Sequence, residues 1–297
     1  MLYEYRLGLK KPEETIIRLL QPSLKGGAVL DIGVGTGRTT PALSSAARRY
    51  RGIDYSKGMI AACRQKFRSA SRRISFSVCD VRDMRYFGDQ SFDVVFFSFN
   101  GLDYLDQRDR LRALSEIRRV CRQHGYFAFS THNLQRAPNL FRLLPFCFPL
   151  RLPYEINANY RRRILNRAFR RQLKHKFAVF IDGAPVSAPY TLQTYYIRPR
   201  YQIKQLWAAG FTEVRVFSMN GQEIKSYTEL DRNRDLWLYF MCRRITQSDT
   251  PMTTMLAGIQ DTASPYRALV DSYPIDLLNY FMRLFSKSHF ESSASSR

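Results

Sequence analysis

Val29-Leu30-Asp31-Ile32-Gly33-Val34-Gly35-Thr36-Gly37-Arg38 runs from apolar chain through an acid into glycines at alternate positions. A buried parallel strand ends this way when it passes under a nucleotide-like ligand and turns into a helix. Gly33, Gly35 and Gly37 have no Cβ, so the backbone can turn tightly and let a ligand lie against it. Thr36, Arg38, Thr39 and Thr40 then open a helix, expected over 39–48, whose free amides face the ligand.

The spacing excludes a dinucleotide fingerprint, G-x-G-x-x-G, because its third glycine falls on Arg38. The pattern D-x-G-x-G-x-G resembles motif I of the class I S-adenosylmethionine (SAM)-dependent methyltransferases. The next strand, Tyr50-Arg51-Gly52-Ile53, ends at Asp54, 23 residues after Asp31. An acid there grips a ribose, because a carboxylate accepts two hydrogen bonds from a vicinal diol and repels a phosphate. Ser56 is the expected cap of the following helix. Residues 73–78 alternate as a strand and lead to Asp80 and Val81. Gln90-Ser91-Phe92-Asp93-Val94-Val95 opens an apolar fourth strand, and helix–Ala209-Gly210-Phe211–strand resembles the family's closing hairpin.

The resemblance covers 28–134 and 200–243. It implies a doubly wound, seven-stranded Rossmann-like methyltransferase sheet, the last strand antiparallel, here with a cap insertion after the fifth strand. It implies SAM as methyl donor and S-adenosylhomocysteine as product, with Asp80 accepting from the adenine amino group. The expected cofactor contacts are Asp31, Gly33, Gly35, Thr36, Gly37, Asp54, Tyr55, Met59, Asp80, Val81, Ser98, Phe99 and Asn100. Asn100 and Phe99 would line the methyl-transfer site.

The closing strand of the first half, Tyr126-Phe127-Ala128-Phe129-Ser130, places His132 at its carboxyl end, on the rim where parallel sheets hold reactive groups. A histidine there can take a proton near neutral pH. His132 is the base candidate and Tyr104 a lesser one; a rim histidine that only shapes the pocket is the bland alternative. No acid–acid–Asn cluster is evident, so no metal is expected. Strand four ends in Ser98-Phe99-Asn100-Gly101 and lacks the N/D-P-P-Y/F of base- and glutamine-modifying enzymes. No cysteine stands in a 5-methylcytosine-type context. Tyr3 and Tyr5 are candidates for a lid over the cofactor.

With 297 residues, 45% hydrophobic, the chain can bury a sizeable core. No run of about 18 apolar residues exists, and no signal-peptide pattern opens the chain, so a cytoplasmic protein is expected, with a peripheral membrane location as the alternative. Five scattered cysteines read as buried thiols. The net charge of +22 points to an anionic partner. Between Arg136 and Lys176 there are 11 basic residues and one acid, Glu155. This segment divides the chain: 1–135 N-terminal helix and SAM-binding half, 136–197 basic cap insertion on the substrate side, 198–245 closing helix and strands, 246–297 appendage. Arg161–Lys176 reads as one helix, and Tyr154, Tyr160, Tyr195 and Tyr196 are available as substrate walls. The bland reading of this segment is a solvated cap packed over the active site; an anionic partner at 136–176 would be a phosphorylated substrate, a membrane surface or RNA, and the oligomeric state stays open. The leading reading is N- or O-methylation of a small polar molecule such as a sugar. An RNA methyltransferase, a membrane-associated lipid or quinone methyltransferase, and a SAM-binding protein without catalysis are the alternatives.

Overall fold

In a computed structural model, residues 8–141, 160, 163–181 and 192–244 are described. The lid candidates Tyr3 and Tyr5, the wall Tyr154 and the appendage 246–297 lie outside them. Helix α1, Lys11–Leu19, starts with a proline in its first turn and buries Ile16 and Ile17. Helix α2, Gln21–Leu24, leads into strand β1, Ala28–Ile32, which is buried throughout. Then come α3 (Thr40–Ser44), β2 (Arg49–Asp54), α4 (Lys57–Lys66), β3 (Ile74–Val78) and β4 (Phe92–Phe97). Helix α5, Gln107–Val120, puts Leu111, Leu114 and Ile117 on its buried face. Strand β5 spans Cys121–Asn133, longer at both ends than the expected 126–130. A short helix α6 (Phe169–Gln172), strands β6 (Phe177–Ile181) and β7 (Gln193–Ile197), helix α7 (Pro199–Ala208), strands β8 (Phe211–Phe217) and β9 (Glu223–Ile224), helix α8 (Tyr227–Arg232) and strand β10 (Trp237–Arg244) complete the order.

The main path of the sheet runs β3-β2-β1-β4-β5-β10-β8-β9. Strand β1 pairs in parallel with both β2 and β4, so the winding reverses beside it. Open α/β sheets bind ligands in the crevice at such a reversal, outside the carboxyl ends of the strands. Strand β10 is antiparallel to both neighbours, β5 and β8. Helices pack on both faces: Leu111, Leu114 and Leu206 lie in one apolar layer, and Ile16, Leu24 and Ile60 in the other.

Three expectations change. Among the described residues the sheet has ten strands, because β9 adds to β8, and the β6–β7 hairpin joins β5 beyond the end of β4. There β7 pairs His132 with Tyr196 and Asn133 with Ile197, in parallel. The helix expected over 161–176 breaks at Asn166. Its side-chain amide donates to the Ile181 carbonyl at 2.8 Å and its oxygen accepts the Ile181 N–H at 2.9 Å. An Asn that bonds a neighbouring strand in this way competes with helix continuation. The first helix after the glycine turn is also shorter than expected, Thr40–Ser44.

Candidate active site

The glycine turn is built by left-handed backbone. Gly35 and Gly37 have φ of +55° and +81°. A Cβ on Gly37 would lie 2.4 Å from the Phe67 ring, whereas a Cβ on Gly35 would meet nothing within 4 Å. Gly37 is thus needed for packing, and Gly35 leaves an open bare-backbone face. The Gly35 N–H donates to Asp54 Oδ2 at 3.0 Å, and the Ser56 N–H donates to Oδ1 at 2.9 Å. Each Asp54 oxygen keeps a lone pair, so the carboxylate can still accept from a ribose diol. Ser56 caps α4 by accepting from the Met59 N–H, as expected. Tyr55 and Met59 stand exposed beside this acid.

The other two acids of the motif differ in surroundings. Asp31 is buried under the turn, where Thr39 Oγ1 donates to it at 2.5 Å and Tyr50 OH at 2.6 Å. Burial raises its carboxyl to about 6, against the lowering effect of those hydroxyls. It braces the turn from below. Asp80 is held by Arg82, which donates through Nε and Nη2, with one bond of 2.6 Å. That guanidinium lowers the Asp80 carboxyl, and Arg82 also reaches Asp109. An adenine amino group would share Asp80 with Arg82. Val81 beside it is buried.

The tip of β4 is strained. Phe99 and Asn100 both adopt left-handed backbone, with φ of 58° and 59°. Two consecutive non-glycine residues there cost of order 1–3 kcal/mol each and persist only where the surroundings enforce them. The enforcing contacts are the Asn100 N–H to Ser130 Oγ at 2.8 Å and the Asp103 N–H to the Asn100 carbonyl at 2.9 Å. The Asn100 Oδ1 is buried without a hydrogen-bond partner. Such an orphan acceptor at the cleft suits a ligand donor. Phe99 lies edge-on to Trp237 at 5.0 Å, with the Arg38 guanidinium 5.2 Å from its ring centre. Arg38, the residue that breaks dinucleotide spacing, donates to both oxygens of Glu13 at 2.5 and 2.7 Å and to Ser98 Oγ at 3.2 Å. Glu13 is fully buried and also accepts from Ser98 Oγ.

His132 is joined to a residue that sequence reasoning missed. Its Nδ1 lies 2.8 Å from Asp103 Oδ2, and its backbone N–H donates to the same oxygen at 2.7 Å. Asp103 sits on the 3-10 turn Gly101–Tyr104, directly after the strained tip. Its other oxygen accepts from Thr131 Oγ1 at 2.6 Å and Arg110 Nη1 at 2.7 Å. Arg110 has no exposed surface and stands 4.6 Å from the centre of the Tyr195 ring. It donates further to Gln202 Oε1 at 2.7 Å and Gln205 Oε1 at 3.2 Å. Asp103 therefore orients the imidazole from behind, and its negative charge is matched by Arg110. The His132 ring lies 4.8 Å from Tyr196 and 5.9 Å from Trp237. Tyr196 thus walls the histidine, while Tyr195 supports Arg110 from below. Tyr104 stands exposed on the same turn as Asp103.

A signal for Asp103 exists in the sequence. Arg110 falls in the apolar stripe of α5 with Ala113, Leu114 and Ile117. A charge on a buried helix face demands a buried counter-charge nearby. Among the described residues no three His, Cys, Asp or Glu side chains gather as a metal site. A cavity of about 280 Å³ opens beyond the histidine, lined by Leu134, Gln135, Pro138, Leu173, Arg198, Asp231 and Arg234. It is on the same rim as the glycine turn but apart from it.

The residues fit SAM. Gly35 offers bare backbone, Asp54 keeps open acceptor sites, and Asn100 Oδ1 lacks a donor. Residues 29–125 match the methyltransferase domain family. Two relatives share part of this region: a demethylmenaquinone methyltransferase of Clavibacter sepedonicus and a phosphatidylethanolamine N-methyltransferase of Cereibacter sphaeroides. The first is 31% identical over 34% of this chain and 39% of its own length. The second is 29% identical over 44% of this chain and 63% of its own. The chain thus spans about half the length of the curated relatives it matches. In fold it is similar to a SAM-dependent methyltransferase of Clostridium acetobutylicum, with a TM-score of 0.56 at 14% identity, covering 82% of this chain and 95% of the other. By this match residues 29–125 form a methyltransferase domain, set in a fold similar to that of a SAM-dependent methyltransferase.

Proposed function

We propose that this protein methylates a hydroxyl or amine of a small polar molecule, with SAM as donor and His132 as the base. The observation that carries this reading is the buried Asp103–His132 pair at the carboxyl end of β5. SAM supplies a methyl group on a positively charged sulfur, already activated for in-line displacement. The glycine turn and Asp54 hold and orient it, and the walls formed by Phe99, Trp237 and Tyr196 exclude water from the transfer site. Asp103 accepts the Nδ1 proton of His132, which fixes the tautomer and leaves Nε2 with the lone pair. Nε2 then takes the proton of the acceptor's hydroxyl or ammonium, and the resulting imidazolium is stabilised by Asp103. Arg110 fixes Asp103 in place through its bond of 2.7 Å to Oδ1.

His132→Gln and Asp103→Asn test the assignment in an assay of S-adenosylhomocysteine release over a panel of small hydroxyl and amine compounds. His132→Gln is expected to lower kcat about 10²- to 10⁴-fold. Asp103→Asn, which favours the wrong tautomer, is expected to lower kcat while KM for SAM holds. A His132→Gln enzyme with the wild-type rate at every pH would remove the histidine from the chemistry.

A lipid acceptor is the second reading. Its support is that two relatives carry names of enzymes acting on a demethylated menaquinone and on phosphatidylethanolamine.

A further inference from the structure

Residues 160–176 contain eight Arg or Lys and no Asp or Glu. Arg163, Arg167, Arg170, Arg171, Lys174 and Lys176 are exposed. The same segment holds large apolar side chains in solvent: Tyr160 is 64% exposed, Leu165 45% and Ile164 38%. Leu192, which enters β7, is also 38% exposed. The segment is anchored to the fold. Arg198 donates to the His175 carbonyl at 3.0 Å and the Leu173 carbonyl at 2.6 Å. Lys176 stands 5.4 Å from the centre of the Tyr201 ring.

The positive field continues onto α7. The ammonium of Lys204 is pushed down by burial and by the nearby Lys176 and Arg200. Arg200 has a counter-charge in Asp231, with a bond of 2.8 Å. The like charges repel one another, so an anionic surface would stabilise this face. Its position also matters. Strand β7 pairs with β5 at His132 and Asn133, so the basic segment borders the rim that holds the proposed base.

The apolar groups decide between anionic partners. A nucleic-acid groove needs cations for phosphates and aromatic faces for bases, and has no use for exposed Ile164 and Leu165. At a bilayer, aliphatic groups enter the headgroup–acyl boundary while flanking Arg and Lys meet anionic lipid headgroups. We propose that the face formed by residues 163–176 and the start of α7 seats on an anionic phospholipid surface and turns the His132 rim toward it. This goes beyond the proposed chemistry and holds whichever acceptor is methylated.

The test is flotation of the full chain with vesicles of phosphatidylcholine alone, or of phosphatidylcholine with phosphatidylglycerol. Binding is expected only to the anionic vesicles at low salt, and it should vanish near about 1 M salt, where charges are screened within about 3 Å. Arg167→Gln/Arg171→Gln/Lys174→Gln should weaken partitioning about 100-fold. Ile164→Ser/Leu165→Ser, with its charge intact, should also weaken it. Calorimetric binding of S-adenosylhomocysteine by both variants confirms that they are folded and tests the methyltransferase reading separately. No binding to anionic vesicles, equal binding to both vesicle types, or tighter binding to a single-stranded RNA that is unmoved by Ile164→Ser/Leu165→Ser would each overturn the proposal.

Discussion

Three aspartates stand at or just past the carboxyl ends of three neighbouring strands, and their surroundings differ because their partners differ. Asp54 keeps acceptor capacity at the cleft, Asp80 shares its charge with Arg82, and Asp31 is sealed beneath the turn. Sealing has a consequence for stability. The Asp31 carboxyl rises from an ordinary 3.8 to about 6 on folding. The protonated form is therefore favoured in the folded state. Its contribution is complete below pH ~4 and is lost as pH rises through ~6, by up to about 3 kcal/mol. Asp31→Asn should remove this loss. Urea unfolding of both proteins from about pH 4.5 to 7.5 should show a declining difference, in favour of the wild type at the acid end only. Parallel pH profiles would contradict it. At this scale the sequence marked the strand-end positions of Asp54 and His132 and the helix cap Ser56, which accepts from the Met59 N–H. The buried-face position of Arg110 called for a counter-charge but did not single out Asp103, because that partner lies across a turn whose path depends on two left-handed residues.

At the scale of elements, α1 is fastened to the site by charge as well as by its apolar face. Glu13 lies three, four and seven residues before Ile16, Ile17 and Leu20, on the same buried face. That spacing placed it in the core, although as a first-turn acid it reads equally well as a helix-dipole partner. Arg38 reaches it from the glycine turn. Arg38→Met would leave a fully buried carboxylate uncompensated, at a cost of roughly 3–5 kcal/mol in urea unfolding. Glu13→Gln/Arg38→Met should recover most of that loss, since both charges go together. A single variant within about 0.5 kcal/mol of wild type would show that the pair does not hold α1. The helix expected over 161–176 failed for the opposite reason. Its apolar stripe was legible, but the bond from Asn166 to the Ile181 backbone is a tertiary contact that periodicity cannot register.

At the scale of the molecule, the winding was legible because each strand carries its own signature: glycines after β1, acids after β2 and β3, an apolar run at β4. The β6–β7 hairpin was not, because it pairs only at the tip of β5, through residues separated by more than 60 positions. The chain thus divides its labour. In the proposed function, residues up to β4 would form the donor cradle, β5 and the turn after β4 would bring the base, and the basic segment with β7 would border the acceptor side. The cradle is expected to take the adenosyl donor, with Asp54 on its ribose. Calorimetric titration of S-adenosylhomocysteine into wild type and Asp54→Ala tests it most directly. Saturable one-to-one binding is expected, weakened at least about 10-fold in Asp54→Ala, corresponding to one lost charge-assisted hydrogen bond, with no binding of a nicotinamide dinucleotide. Equal affinity in the two proteins, or no heat from S-adenosylhomocysteine at all, would contradict it.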